Sequence, residues 1–493
     1  MTVEPLIVAG LAACGAAASI LAGLSRVRDH LAFALPVGCA MVTSVSVMLL
    51  VSPLAYSAAR AVVLTGSLAA LLLVLGLRSV GGDERIRRLL PAALVVAAAM
   101  PTVLAIRRLR MTRVTADSFE YLQSGGTLEA VGQVYDDAFL LVNRQVMLPL
   151  LHNLAVLGDE FFLISLAPLF LFSLLATLWW LVGRGRAMSR VGWHEHAVVA
   201  ALILLLVTTN RMAFHAFYIN THLFVGVHLL HLMVLAWLAP HGRAGRGGAA
   251  IAALVLVPIV VARPEGALLV VLALLALLVG RVDPGRLRLP TWGLLASVVI
   301  WWLFGLGALA GWSPFSPAVA AIAVSAGLVA LVALWERSPF DVHVQRWTKG
   351  AVHAVLWLAL GAMVALEGPD TLLTSVEATW TNLRGEGLWG ALPVALLAAV
   401  VACLFLAEAK GVRMFLLPAA WFVPLMLFLA YAREGAYRVG PGDSLNRAWV
   451  HVIPLLVGFV CLAVSQRDRG GDDDVRVASS SHGVGLGSAS RGT

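Results

Sequence analysis

Asp117 and Glu120 stand three residues apart and just before Tyr121, in one of the few polar stretches of a 493-residue chain. A carboxylate so placed can take the proton of an attacking hydroxyl while the new bond forms, because a hydroxyl is too weak an acid to ionise beforehand. Asp117 is the candidate base and Glu120 the alternative. Three arginines, Arg263, Arg438 and Arg447, supply the complement, since a guanidinium grips oxygens in pairs and stabilises negative charge arriving on a departing phosphate. Each residue also has a plainer role open to it. Asp117 could cap the helix that follows, and Glu120 could pair with an arginine on a solvated face. Arg263 could satisfy carbonyls at a broken helix, and Arg447 could anchor a crossing at the interface. Asp136 and Asp137 are adjacent and would diverge on a helix, which suits a solvated turn.

Histidines offer a second chemistry. His215 and His222 would share one helical face and His228 and His231 another, but His215 and His231 lie about 24 Å apart along a helix, so one segment cannot gather all four around a metal. No metal site is assigned and the chemistry requires no cofactor. A divalent cation held by His222 with Asp117 or Glu120 is the exception left open, against hydrogen-bonded interfacial imidazoles. Cys14, Cys39, Cys403 and Cys461 all fall in apolar runs without metal-ligand spacing, so neither disulfides nor zinc are expected.

These groups need a scaffold, and the composition fixes its class. With 60% hydrophobic residues, 13% charged and a mean hydropathy of +0.90, the chain is expected to be an all-α polytopic membrane protein. Its net charge of +8 is almost wholly arginine and implies no nucleic-acid partner. Eight short basic segments, among them Arg78 to Arg88 and Glu336 to Lys349, read as cytoplasmic loops. Fifteen crossings then fit between them, the first four at Pro5 to Leu24, Leu31 to Val51, Tyr56 to Leu77 and Leu89 to Ile106. The amino terminus is expected outside and the carboxyl terminus inside, in the plasma membrane. The first run resembles a signal-peptide core without a clear cleavage site and is kept as a helix. Residues 249–280 are too long for one span and are interrupted at Arg263-Pro264-Glu265, so they divide into two short crossings.

The polar chemistry then collects on the external side. The largest external segment, residues 107–160, is expected to form an amphipathic surface helix lined by Phe119, Tyr121, Leu122 and Leu128. Arg107, Arg108, Arg110 and Arg113 face outward against the usual bias, which suits snorkelling or a dock for a lipid phosphate. Residues 466–493 read as a disordered cytoplasmic tail whose Asp472-Asp473-Asp474 run lacks the pattern of a calcium loop.

Four motifs in order carry a resemblance. Ala116-Asp117-Ser118-Phe119-Glu120-Tyr121-Leu122 resembles the acidic loop of GT-C type glycosyltransferases, membrane enzymes that use polyprenyl-phosphate sugars. Arg144, with Leu148-Pro149-Leu150-Leu151 and Gly158-Asp159, is similar to the run before their next crossing. Arg263-Pro264-Glu265-Gly266 resembles their short-helix junction, and Asp443-Ser444-Leu445-Asn446-Arg447 their terminal loop. The resemblance implies a GT-C-like bundle of about 13–15 crossings over residues 89–465, preceded by an extension of three helices over 1–88. It implies that Asp117 is the base, that Arg263, Arg438 and Arg447 bind the donor phosphate, and that Tyr121, Arg144, His222, Glu265 and Asn446 bind substrate. A single displacement would invert the anomeric centre. The implied partners are the lipid-linked donor, a glycan, lipid or protein acceptor, membrane lipids and a membrane protein partner. A transporter or lipid flippase, for which Arg263-Pro264-Glu265 would be a broken-helix site, and a non-catalytic scaffold are the competing classes.

Overall fold

The computed structural model describes residues 2–78, 80–109, 112–135, 145–183, 193–238, 243–280, 282, 284–301, 342–405, 407–432 and 435–466. Among these residues the protein is all-helical, with no strand beyond one isolated parallel bridge between Arg113 and Tyr218. In chain order the helices are α1 (Glu4–Leu21), α2 (Val27–Leu50), α3 (Ala58–Leu77), α4 (Gly82–Leu109), α5 (Ala116–Val131), α6 (Met147–Asn153) and α7 (Leu166–Val182). The middle holds α8 (Trp193–Thr208), α9 (Asn210–Phe217), α10 (Thr221–Leu238), α11 (Arg243–Val260), α12 (Gly266–Val279) and α13 (Pro284–Val298). The remainder are α14 (Val342–Glu367), α15 (Asp370–Thr381), α16 (Leu392–Leu404), α17 (Leu417–Ala432), α18 (Ser444–Ala448) and α19 (Ile453–Gln466). Seven helical segments are long and apolar enough to cross a membrane, or eight if the pair α8 and α9, bent by 66°, is one broken span. Such a chain is compatible with a multi-pass membrane protein, since helices satisfy their own backbone where water is absent.

Backbone contact builds the first layer. A Cβ on Gly15 of α1 would stand 1.8 Å from the Ala34 carbonyl oxygen of α2, and one on Gly38 would stand 1.8 Å from that of Leu11. Small residues at both crossing points let the two helices touch main chain to main chain. Asp29 then fastens the start of α2: its carboxylate accepts from the Ser25 and Arg26 amides at 3.0 and 2.8 Å and from Trp180 Nε1 of α7 at 2.7 Å. Inside the bundle α2, α10 and α12 bury nearly all they carry, whereas α3 and α4 turn Val63, Leu71, Leu90 and Leu94 outward. Such apolar exposure on a bundle perimeter suits lipid contact.

Three expectations change. Arg107 is no isolated outward cation: its Nη1 bridges the buried Glu4 and Glu160, the latter at 2.8 Å, while Ser165 donates its amide and hydroxyl to Glu4 at 2.7 Å each. It ties the end of α4 to the start of α1, so an ion-pair clamp replaces snorkelling or a lipid dock at that residue. The expected loop at Arg78 to Arg88 is mostly the first turns of α4, which begins at Gly82. Of the apolar residues expected to line α5, Tyr121, Leu122 and Leu128 are buried and Phe119 is 52% exposed beside Phe161. Six further apolar helices span only 10–17 residues, shorter than a crossing usually needs. The break inside residues 249–280 is present, with α11 ending at Val260 and α12 starting at Gly266. The crossing expected at Pro317 to Leu334, and the tail beyond Gln466, lie outside the described residues.

The Gly15 contact gives a direct test. Gly15→Val should force α1 and α2 apart and lower the detergent-solubilised melting temperature by at least about 5 °C, whereas Gly10→Val, on a face with nothing within 4 Å, should leave it within about 1 °C.

Candidate active site

At one end of the bundle, segments far apart in sequence close around a group of charged side chains. The Arg113 amide donates to the Phe217 carbonyl at 2.7 Å, laying the strand-like approach to α5 beside the exit from α9. That contact sets Asp117 opposite Tyr218, whose hydroxyl donates to Asp117 Oδ2 at 3.2 Å and accepts from the Thr115 hydroxyl at 3.3 Å. Ser118 donates its hydroxyl to the Ile219 carbonyl from the next position. Asp117 is the second residue of α5, within the first turn and not at the cap, so the unpaired amides of that turn favour its charge.

The second partner of Asp117 comes from the other end of the chain. Arg447 Nη1 lies 3.1 Å from Asp117 Oδ2, with the arginine side chain 11% exposed and the aspartate 33%. Its position follows from the Asp443-Ser444-Leu445-Asn446-Arg447 run. The Asp443 carboxylate accepts from the Asn446 amide at 2.8 Å, capping α18, and from the Arg438 amide at 2.8 Å, closing the loop before it. Asn446 is buried and spends its side chain on that loop: Trp389 Nε1 donates to its Oδ1 at 2.5 Å, and its Nδ2 donates to the Gly440 carbonyl at 3.0 Å. The Arg438 side chain is exposed.

Beneath this pair is a fully enclosed group from α10, the α11–α12 junction and the start of the last helix. Pro264 keeps the preceding residue out of helix, and a Cβ at Gly266 would meet the Ile259 carbonyl oxygen at 1.9 Å, so the chain can reverse tightly only with glycine there. The Val146 and Met147 amides occupy the Val261 carbonyl left free by the break, at 3.1 and 3.0 Å. Inside the break Arg263 Nε donates to Glu265 Oε1 at 2.6 Å, both side chains less than 5% exposed. Burial opposes the charge on Arg263, and the Glu265 carboxylate, aided by Tyr121, outweighs it and holds the guanidinium above its ordinary pKa. Arg263 Nη1 faces His222 Nε2 at 3.4 Å, and His222 Nδ1 meets His451 Nε2 at 2.8 Å. Gly226 makes that pair reachable, since a Cβ there would lie 2.4 Å from the Val450 carbonyl oxygen.

The structure therefore brings together Asp117, Tyr121, His222, Arg263, Glu265 and Arg447 from widely separated stretches. Glu120 is on the same helix as Asp117 but exposed. Arg144, with Asp136 and Asp137, lies outside the described residues. Among the described residues no three His, Cys, Asp or Glu side chains gather as metal ligands, and a cation beside His222 would meet the Arg263 guanidinium.

Sequence reasoning gave no site role to three members, Arg211, Tyr218 and His451, and weighed the fourth, His215, only as a metal ligand. Arg211 is fully buried and clamps two loops, donating Nε and Nη2 to the Gly387 carbonyl at 2.9 and 2.7 Å and Nη1 to that of Pro441 at 2.9 Å. An ionisable group inside an apolar run was the available signal for His451. Tyr218 had none beyond its rarity, as one of six tyrosines. Compared with known proteins, the chain matches no protein-family model, no curated protein and no solved structure.

Two outcomes follow. Burial, opposed by the Thr115 hydroxyl and reinforced by the Asp117 charge, pushes the Tyr218 phenol above its ordinary value of 10.0, so less than half of it is ionised at pH 10. Tyr218→Phe should remove less phenolate absorbance from the folded protein at that pH than the roughly half of one residue's signal that a freely titrating tyrosine would contribute. Arg211→Met should detach the loops, raising hydrogen exchange at the 387–388 and 440–443 amides at least about tenfold while α1 and α2 stay protected.

Proposed function

We propose that the protein is an integral membrane glycosyltransferase of GT-C type. It takes sugar from a polyprenyl-phosphate donor and transfers it to an acceptor hydroxyl on the external face of the plasma membrane, with inversion. The observation that carries this reading is the Asp117–Arg447 contact, which joins the first and last of the four family-like motifs across 330 residues. Asp117 is part-exposed, so an acceptor hydroxyl can reach it, and it acts as the base. Arg447 and Tyr218 hold the carboxylate in place, and Arg447 stabilises the charge that develops on the departing phosphate. Arg263 and Glu265 set the charge of the enclosed floor. Glu120, exposed on the next turn, and Arg438 on the loop rim serve the acceptor and donor from the open side. No cofactor enters this chemistry.

A second reading, a transporter of envelope lipid-linked sugars, draws on the 66° bend between α8 and α9, since broken spans mark transport sites. The transferase reading is preferred because the carboxylate and guanidinium meet at the end of the bundle.

The test is sugar transfer in membranes carrying matched amounts of wild type or variants, with a panel of radiolabelled polyprenyl-phosphate sugars and endogenous acceptors. Asp117→Asn should lower transfer at least about 100-fold, the usual scale of a lost general base, and Glu120→Gln less than about fivefold. Full activity in Asp117→Asn would remove the proposed base. Absence of transfer from every donor, with labelled lipid crossing proteoliposomes, would replace the transferase by a transporter.

A further inference from the structure

The hydrogen-bond directions in the enclosed group are set from one end. Arg263 has only donors. Its Nε donates to Glu265 Oε1, so the Nη1 that faces His222 Nε2 at 3.4 Å requires that nitrogen to accept. A neutral imidazole has one proton, and in His222 it is thereby placed on Nδ1, which donates to His451 Nε2 at 2.8 Å. His451 Nε2 is then an acceptor, and its own proton is left on Nδ1. That Nδ1 is buried and has no acceptor among the described residues.

The surroundings have the same surplus. Arg447 spends Nη1 on Asp117, but its Nε is buried without an acceptor among the described residues. Asn220 accepts the His222 amide at its Oδ1, which leaves its Nδ2 a donor in the same condition. His215 is fully buried with its ring 5.5 Å from that of His222, and neither of its nitrogens has a partner among the described residues. Buried donors left without acceptors are rare because water cannot replace the missing bond. A group rich in acceptors and bearing none of its own donors would satisfy them. A carboxylate offers two oxygens in one plane, whereas a phosphoryl group offers up to three arranged tetrahedrally, which suits donors on two separate segments, 215–222 and 447–451.

We infer that Glu265, Arg263 and His222 are positioning residues that fix the tautomer of His451, and that His451 Nδ1–H, Arg447 Nε–H and Asn220 together hydrogen-bond a phosphoryl oxyanion. Arg263 thus acts on the anion through two imidazoles. The inference rests on the same cluster as the transferase reading and gives its donor phosphate a specific seat, with Arg263 set behind it.

The test uses the full-length protein in detergent with decyl phosphate, inorganic phosphate and decanoate as probes, and calorimetry as the readout. Decyl phosphate should bind at least tenfold more tightly than decanoate. His451→Phe should weaken it at least tenfold, and His451→Asn, whose amide nitrogen can stand where Nδ1 stood, less than threefold. Histidine labelled with nitrogen-15 reports the tautomer in the unmodified protein, where His451 should be protonated at Nδ1 and should lose that preference in His222→Leu. Decyl phosphate binding above inorganic phosphate would identify a lipid headgroup, and equal binding a free phosphate, and either supports the seat. His451 protonated at Nε2 in the wild type, or decanoate bound as well as decyl phosphate, would overturn it, whether or not His451→Phe folds. Binding and tautomer as expected without any sugar transfer would instead overturn the transferase reading alone.

Discussion

A guanidinium inside an apolar bundle must be neutralised or fully hydrogen-bonded where it stands, because a buried charge left without a partner costs several kcal/mol. Much of the site end is arranged around meeting that demand. For Arg263 the answer is Glu265 two residues away, which requires the chain to leave the helix between them, and the break that results frees a carbonyl for residues 146 and 147. For Arg211 the described answer is three bonds to main-chain carbonyls, which fixes the 387 and 441 loops relative to α9. Arg107 meets two carboxylates and closes α1 onto α4. Three buried or half-buried cations thus do the joining that loops this short could not do with apolar contacts.

The same logic separates what is held still from what can be reached. Asp117 is gripped by Arg447 and Tyr218 yet keeps a third of its side chain exposed, while the Arg263 and Glu265 pair is sealed. A carboxylate fixed in orientation and still accessible is suited to meeting an incoming group, and a sealed ion pair to holding a constant field beneath it. Asn446 illustrates the cost of such fixing: its amide is committed to Trp389 and Gly440, so its part is to keep the last loop closed around Arg447.

How much of this could be read in the sequence depended on whether the signal was local. Arg263-Pro264-Glu265 announces a broken helix because proline and opposite charges act within a few residues, and the break is where it was expected. The N-terminal preference of Asp443 and the helical pattern after Asp117 are local as well. The partner of Asp117 is not, since nothing near residue 117 points to Tyr218 or Arg447. His451 lies within an apolar run and finds its meaning only through α10, which Gly226 brings near. Phe119 lies on the exposed side of α5 beside Phe161 while Tyr121, Leu122 and Leu128 are buried, a division that the apolar pattern alone does not make. Helix number was less legible for a different reason: hydropathy marks apolar stretches but not their length once the chain bends, as at Thr208 and Asn210.

The distance along the chain between Asp117 and Arg447 also has a temporal meaning. At roughly 5–20 residues per second of synthesis, the aspartate leaves the ribosome tens of seconds before the arginine that completes its pair. Until then the start of α5 is held beside α9 by earlier residues, through the contacts of Arg113, Asp117 and Ser118 with Phe217, Tyr218 and Ile219. The carboxylate thus waits for its cation while the chain grows by 330 residues, which makes the pair a late product of folding.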